Sequence, residues 1–179
     1  MSMHHKAFRF DYQSFFTDLK PLLQQSLASA ATDGLIEFIH SHLDEIRDPH
    51  EGIPLDSSWE DLLETHDTQE CGDFALAKYY QPGQSIGLGY HWFPIMNLLD
   101  EHLLDGTAMV LGSTLEARGV VFDPGLQGSY FRSMEDVAKH QANLLACTKA
   151  YPSITAAVQP LETMLAAAVS TGSGLYVTF

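Results

Sequence analysis

The chain predicts an α+β fold, mainly helical, carrying a small antiparallel sheet. Three observations predict it. Apolar residues recur at three- and four-residue steps through the first hundred positions, short β-rich runs replace that period after residue 105, and the closing LYVTF is strand-like. At 179 residues, with 45% apolar and 18% charged side chains, the chain is long enough for one sizeable core. A single domain spanning 1–179 is expected, helical over about 11–104 and mixed over about 105–179.

Asp11 is placed to cap a first helix whose Phe15, Phe16, Leu19, Leu22, Leu23 and Leu27 share a face. Pro21 either kinks that helix or begins another, because proline removes an interior hydrogen bond but suits a first turn. Thr32 or Asp33 caps a second face, Leu35 to Ile46, which stops at Asp48 ahead of Pro49. Ser57 and Glu60 have capping-box spacing before Trp59, Leu62 and Leu63. Thr68 opens a helix that runs to about Tyr80.

From Tyr79 to Leu99 the chain turns repeatedly, crowding Gly83, Gly87, Gly89, Pro82 and Pro94 among Tyr80, Tyr90, His91, Trp92 and Phe93. This stretch reads as a joint, with a helix restarting at Pro94 and ending at Asp105 and Gly106. Strands are expected near 107–112 (TAMVLG) and 119–123 (GVVFD), with further ones near 129–132 and 175–179. Ser133 caps a helix with Glu135 and Asp136 in its first turn, and Pro152 starts an alanine-rich one.

Composition excludes several functions. With 23 acidic against nine basic side chains the net charge is −14, and the cations are scattered, so nucleic acid and membrane surfaces are not expected partners. No apolar run approaches membrane-spanning length, and the start lacks the apolar stretch of a signal peptide. A cytoplasmic location is expected. Cys71 and Cys147 stand alone, far apart, as reduced thiols.

Gly83-Gln84-Ser85-Ile86-Gly87 has the spacing of a nucleophile elbow, and Asp123 and His140 follow in hydrolase order. The helix-like ALAKYYQP before Ser85 and the absence of a helix directly after it contradict the strand–turn–helix setting that exposes such a serine. Glu37 and His40 share a helix face, as in di-metal bundles, but a second pair is missing, so they read as a solvated face. The acidic neighbours of Cys71 argue against a nucleophile. No catalytic residue, cofactor or metal is expected.

Two function classes remain. The first is a non-catalytic acidic interaction protein, of bacterial inhibitor or immunity type, that covers a basic surface on a protein partner. The second is a small-ligand or enzyme domain using an aromatic recess between residues 85–93 and 122–132. Its candidate ligand-binding residues are Tyr90, His91, Trp92, Asp123, Tyr130 and Arg132. A homodimer through the Phe15, Phe16, Leu19, Leu22, Leu23 stripe is the further partner considered.

Overall fold

The computed structural model describes residues 3–179 and bears out a mainly helical α+β fold with a small antiparallel sheet. In chain order the elements are strand β1 (Lys6–Phe10), helix α1 (Tyr12–Ser14), a π-helical turn (Phe15–Leu19), α2 (Lys20–Ser29) and α3 (Asp33–Ser41). A 3-10 turn (Trp59–Leu62), α4 (Thr68–Leu76), α5 (Trp92–Glu101) and α6 (Gly106–Val110) follow. The remainder is a ribbon of β2 (Glu116–Ala117) and β3 (Val120–Val121), a 3-10 turn (Pro124–Leu126), β4 (Tyr130–Arg132), α7 (Met134–Ala150), α8 (Thr155–Val169) and β5 (Gly174–Thr178).

The chain divides into two compact units, each assembled from separate stretches of sequence. A sheet unit joins the N-terminal segment ending at Phe10 to Ser85–Ser113 and Tyr130–Phe179, and a ribbon unit joins Asp11–Gln84 to Thr114–Ser129. One crossing falls between Gln84 and Ser85, inside the glycine- and aromatic-rich joint.

In the sheet unit the strands run β1-β5-β4, all antiparallel, so the C-terminal strand is central. Ala7 and Tyr130 flank Val177, and that face joins a core with Leu99, Val137, Leu144, Val158, Leu161 and Leu165. Phe8, Phe131 and Tyr176 stack on the other face, with ring centroids 5.4 to 6.2 Å apart. Burial on both faces is why GLYVT shows no polar alternation. Both sheet edges are occupied. The Ile86 N–H donates to Ala7 O and His5 bridges Gly89 beside β1, while Ser113 bridges Phe131 beside β4.

Gly87 makes the first of these edges possible, since a Cβ there would lie 2.7 Å from Ala7 N and from Lys6 Cα. Ser133 and Asp136 form a full capping box at the start of α7.

In the ribbon unit the first helix is continuous through Pro21. Pro21 offers no N–H, and the Lys20 N–H reaches back five residues to Phe15 O, widening one turn before α2 resumes. Phe15, Leu19 and Leu23 are buried inside the unit and only Phe16 of the larger residues is exposed, so the stripe considered for a dimer serves the core. Phe15 meets Tyr79 edge-on at 5.9 Å and Trp59 lies 5.8 Å from Phe74.

Several expectations need correction. Residues 107–112 are not a strand: the Asp105 carboxylate accepts the Ala108 N–H and starts α6, and this local cap outweighs the β propensity of the run. The run near 119–123 contributes Val120–Val121, paired with Glu116–Ala117 in a ribbon separate from the main sheet. Arg118 and Gly119, at φ +50° and +79°, make the two-residue turn between them. α3 stops at Ser41, not Asp48, because His42 turns its Nδ1–H onto Phe38 O. The Ser57–Glu60 capping box does not form; Asp56 accepts from Ser58 instead. β1 was not anticipated, although Phe8 and Phe10 flanking Arg9 carry its period.

Candidate functional site

Charge separates the two units. Seventeen acidic and four basic residues fall in the ribbon unit, a formal net charge of −13, against six acidic and five basic residues, net −1, in the sheet unit. Residues 44–73 alone hold eleven carboxylates and a single cation, Arg47.

These carboxylates do two different jobs. Asp48 accepts the N–H groups of His50 and Glu51, Asp67 accepts that of Glu70, and Glu70 accepts those of Glu64, Thr65 and His66. Partial burial pushes the Glu70 carboxyl up, but those donors and the Thr65 hydroxyl outweigh it and hold it below the usual range. Such groups tie turns together and are spent on the fold. Glu60 pairs with His40 at 2.8 Å and Glu45 with Lys78 at 2.9 Å. Asp44, Glu51, Asp61 and Glu64 are exposed, and among the described residues their carboxylates make no hydrogen bond or ion pair. Ile53 and Leu62 stand exposed in the same stretch. A solvated acidic surface carrying isolated apolar side chains is suited to contact a cationic protein face.

The residues expected to line a recess have separate local surroundings. Tyr90 is exposed and meets His4 edge-on at 5.0 Å, and Trp92 donates its indole N–H to Met3 O at 3.0 Å. Tyr130 packs against the sheet unit's core. His91 immediately precedes α5 and lines a half-open cleft of about 370 Å³ along that helix, with Ile95, Leu98, Glu101 and Ala157. The cleft runs between α5 and α8, which the sequence did not indicate. Asp123 belongs to the ribbon unit, where it accepts the Gly128 N–H and donates its own N–H to Gln69 Oε1, closing its turn.

Arg132 is buried in the sheet unit. Its guanidinium donates to the carbonyls of Met109 and Val110 at the end of α6, Nε is left unpaired, and no carboxylate of the described residues lies within ion-pair distance. Burial brings its pKa down to about 9, with Asp136 opposing. A Cβ on Gly112, which sits at φ +113°, would come within 2.8 Å of Arg132 Cγ, so the glycine opens the path the side chain takes. His5, fully buried nearby, donates Nε2–H to Val110 O and accepts the Leu88 N–H at Nδ1. Burial holds its pKa down to about 4, and Arg132 adds to the effect. His140 is lowered as well, by burial and then Arg132, and its Nδ1 has no hydrogen-bond partner among the described residues. Arg132 and His5 together fasten α6 and the N-terminal segment to the sheet.

Ser85, Cys71 and His40 are the reactive positions that the sequence singled out for weighing. Ser85 Oγ accepts the N–H groups of Ala7 and Gly87 and so completes the edge of β1. Burial, with help from Glu70, Asp67 and Glu60, raises the Cys71 thiol to about 11, which leaves it protonated at neutral pH. His40, which shares a face with Glu37, is engaged by Glu60, and among the described residues no three His, Cys, Asp or Glu side chains group closely enough to hold a metal ion. Among those residues, too, no helix is long and apolar enough to cross a membrane.

No protein-family model matches the chain, and neither a curated protein nor a solved structure does.

Proposed function

We propose that the protein is a non-catalytic, acidic interaction module, of inhibitor or immunity type, that uses its ribbon unit to cover a basic surface on a protein partner. The observation that carries this reading is the charge partition: a unit at −13 faces solvent with carboxylates its own fold does not use, while its neighbour in the chain is near neutral. Acidity spread for solubility alone would have no reason to concentrate in one unit. The same reading places the chain in the cytoplasm, where Cys71 and Cys147 remain thiols.

The test compares two variants in binding to a partner captured from the source cells and then purified. Neutralising Asp44, Glu51, Asp61 and Glu64 to amides weakens binding by about tenfold or more at low salt and flattens its salt dependence. His91→Ala leaves binding unchanged. Equal losses from both variants, or none from the first, would overturn the proposal. A second reading, favoured by the cleft along α5, is small-ligand binding at His91 and Glu101, since its volume lies within the range of ligand sites. A thermal shift with a metabolite panel that His91→Ala abolishes is the result that would select it.

A further inference from the structure

The turn after β3 is built rigidly around one side chain. Gln69, in the first turn of α4, donates Nε2–H to Val121 O at 2.8 Å and accepts the Asp123 N–H at 2.7 Å. Asp123 in turn accepts the Gly128 N–H at its carboxylate and the Leu126 N–H at its carbonyl. What this scaffold presents is Leu126, which is 88% exposed and sits at φ +54°. Both facts are unfavourable for the free chain. A left-handed backbone is strained for a leucine, whose Cβ crowds the following carbonyl, and an exposed isobutyl group recovers nothing by burial. Asparagine or glycine would suit the position better on both counts. Val120 and Val121, 45% and 39% exposed, precede the turn on the ribbon.

We propose that Leu126 is the apolar anchor on which the ribbon unit seats a basic protein segment. The choice of a basic occupant rests on the function proposed above and on charge complementarity. Glu116 is the cross-strand partner of Val121, and Asp67 lies two residues before Gln69 in a unit at −13, with Arg118 at the ribbon's tip as the opposing cation. A second copy of the chain would set like charge against like. An exposed apolar side chain on a unit of high net charge is an arrangement in which a desolvated anchor carries affinity while the surrounding field sets the choice of partner.

The probe is a displayed library of random peptides about 12 residues long, selected on the full chain at about 50 mM salt, with the enriched sequences then synthesised and titrated. The proposal expects peptides in which Lys or Arg flanks a large apolar residue. Leu126→Asn should weaken them about tenfold or more while holding or raising the melting temperature, because it relieves the backbone as it removes the contact. Undiminished binding by Leu126→Asn overturns the anchor; the acidic-module reading survives if the four-amide variant still loses affinity, and falls with it if that variant also binds normally. A lowered melting temperature in Leu126→Asn makes the leucine a packing residue and overturns the anchor. A wild-type dimer in sedimentation that Leu126→Asn dissolves makes a second copy the occupant, with the same consequence.

Discussion

The two units solve the problem of holding polar groups in opposite ways. The sheet unit buries them: Arg132 and His5 lie inside, bonded to carbonyls, and the surrounding surface is nearly neutral. The ribbon unit keeps most of its carboxylates at the surface, spends some, the buried Asp48 among them, on backbone N–H groups in loops, and leaves others unpaired. A buried cation on fixed carbonyls specifies one arrangement and rigidifies it, whereas a field of solvated acids costs the unit self-repulsion and leaves it able to attract something else. The comparison therefore separates a unit whose polar groups serve architecture from one whose polar groups exceed what architecture requires.

The largest effect is expected from a pair of glycine replacements. Gly87→Ala would drive a methyl group into the backbone of β1 in the sheet unit, where neither His5 nor Ala7 can yield, and should cost about 3 kcal/mol or more. In the ribbon unit the Cβ of Gly72→Ala would meet the ends of Phe122, at 2.6 Å, and Leu23, at 2.8 Å. Side-chain tips shift more readily than backbone, so that cost should be about 1–2 kcal/mol. Urea midpoints measure both, and equal losses would mean the ribbon core is as unyielding as the sheet edge.

Next in size is a divergence with pH. The folded pKa of His5, about 4, lies below its ordinary 6.5, so its stabilising contribution is complete above pH 6.5 and is lost as pH falls through 4. Asp73 in the ribbon unit is raised from 3.8 to about 6, by burial first and by Asp48 in addition, with His50 opposing; its contribution is complete below 3.8 and lost as pH rises through 6. Going from pH 7 to pH 5 should therefore weaken the sheet unit by about 2 kcal/mol and strengthen the ribbon unit by about 1 kcal/mol. Glu70 does not cancel this, because a depressed carboxyl gives up its contribution only below its ordinary 4.5. The sequence supplies the reporters: Trp92 is in the sheet unit and Trp59 in the ribbon unit, so Trp59→Phe and Trp92→Phe variants read the units separately. Parallel shifts in the two reporters would refute the divergence.

The smallest effects sharpen the contrast between used and unused acids. Asp67→Ala removes a helix cap and should cost about 1 kcal/mol, while Asp61→Ala, which severs no hydrogen bond or ion pair, should leave stability within about 0.5 kcal/mol. A comparable loss at Asp61 would put that residue among the structural acids.

Much of the fold was legible because it is written locally. Asp11 and Ser133 each accept an N–H at the start of a helix, α4 begins at Thr68 as its spacing indicates, and the acidic first turn of α7 sits where the helix dipole favours it. Errors arose where one local signal opposed another. TAMVLG has strand composition, but Asp105 caps it as a helix, and His42 ends α3 while the apolar spacing still runs on to Ile46. The candidate site was less legible. Eleven acids in residues 44–73 were countable, yet only coordinates separate the carboxylates tied to backbone from Asp44, Glu51, Asp61 and Glu64. His91 was singled out for its aromatic neighbours, whereas the cleft it lines belongs to α5 and α8.

By itself the sequence determined the fold class, most of the helix starts and the central part of the charge surplus, because caps, periodicity and composition act over a few residues. Only the tertiary structure decided that β1 and β5, at opposite ends of the chain, pair in one sheet, that the surplus charge gathers in a discontinuous unit, and that Arg132 lies inside. Those outcomes depend on which distant segments come together, and long-range pairing leaves little mark on the short stretches it joins.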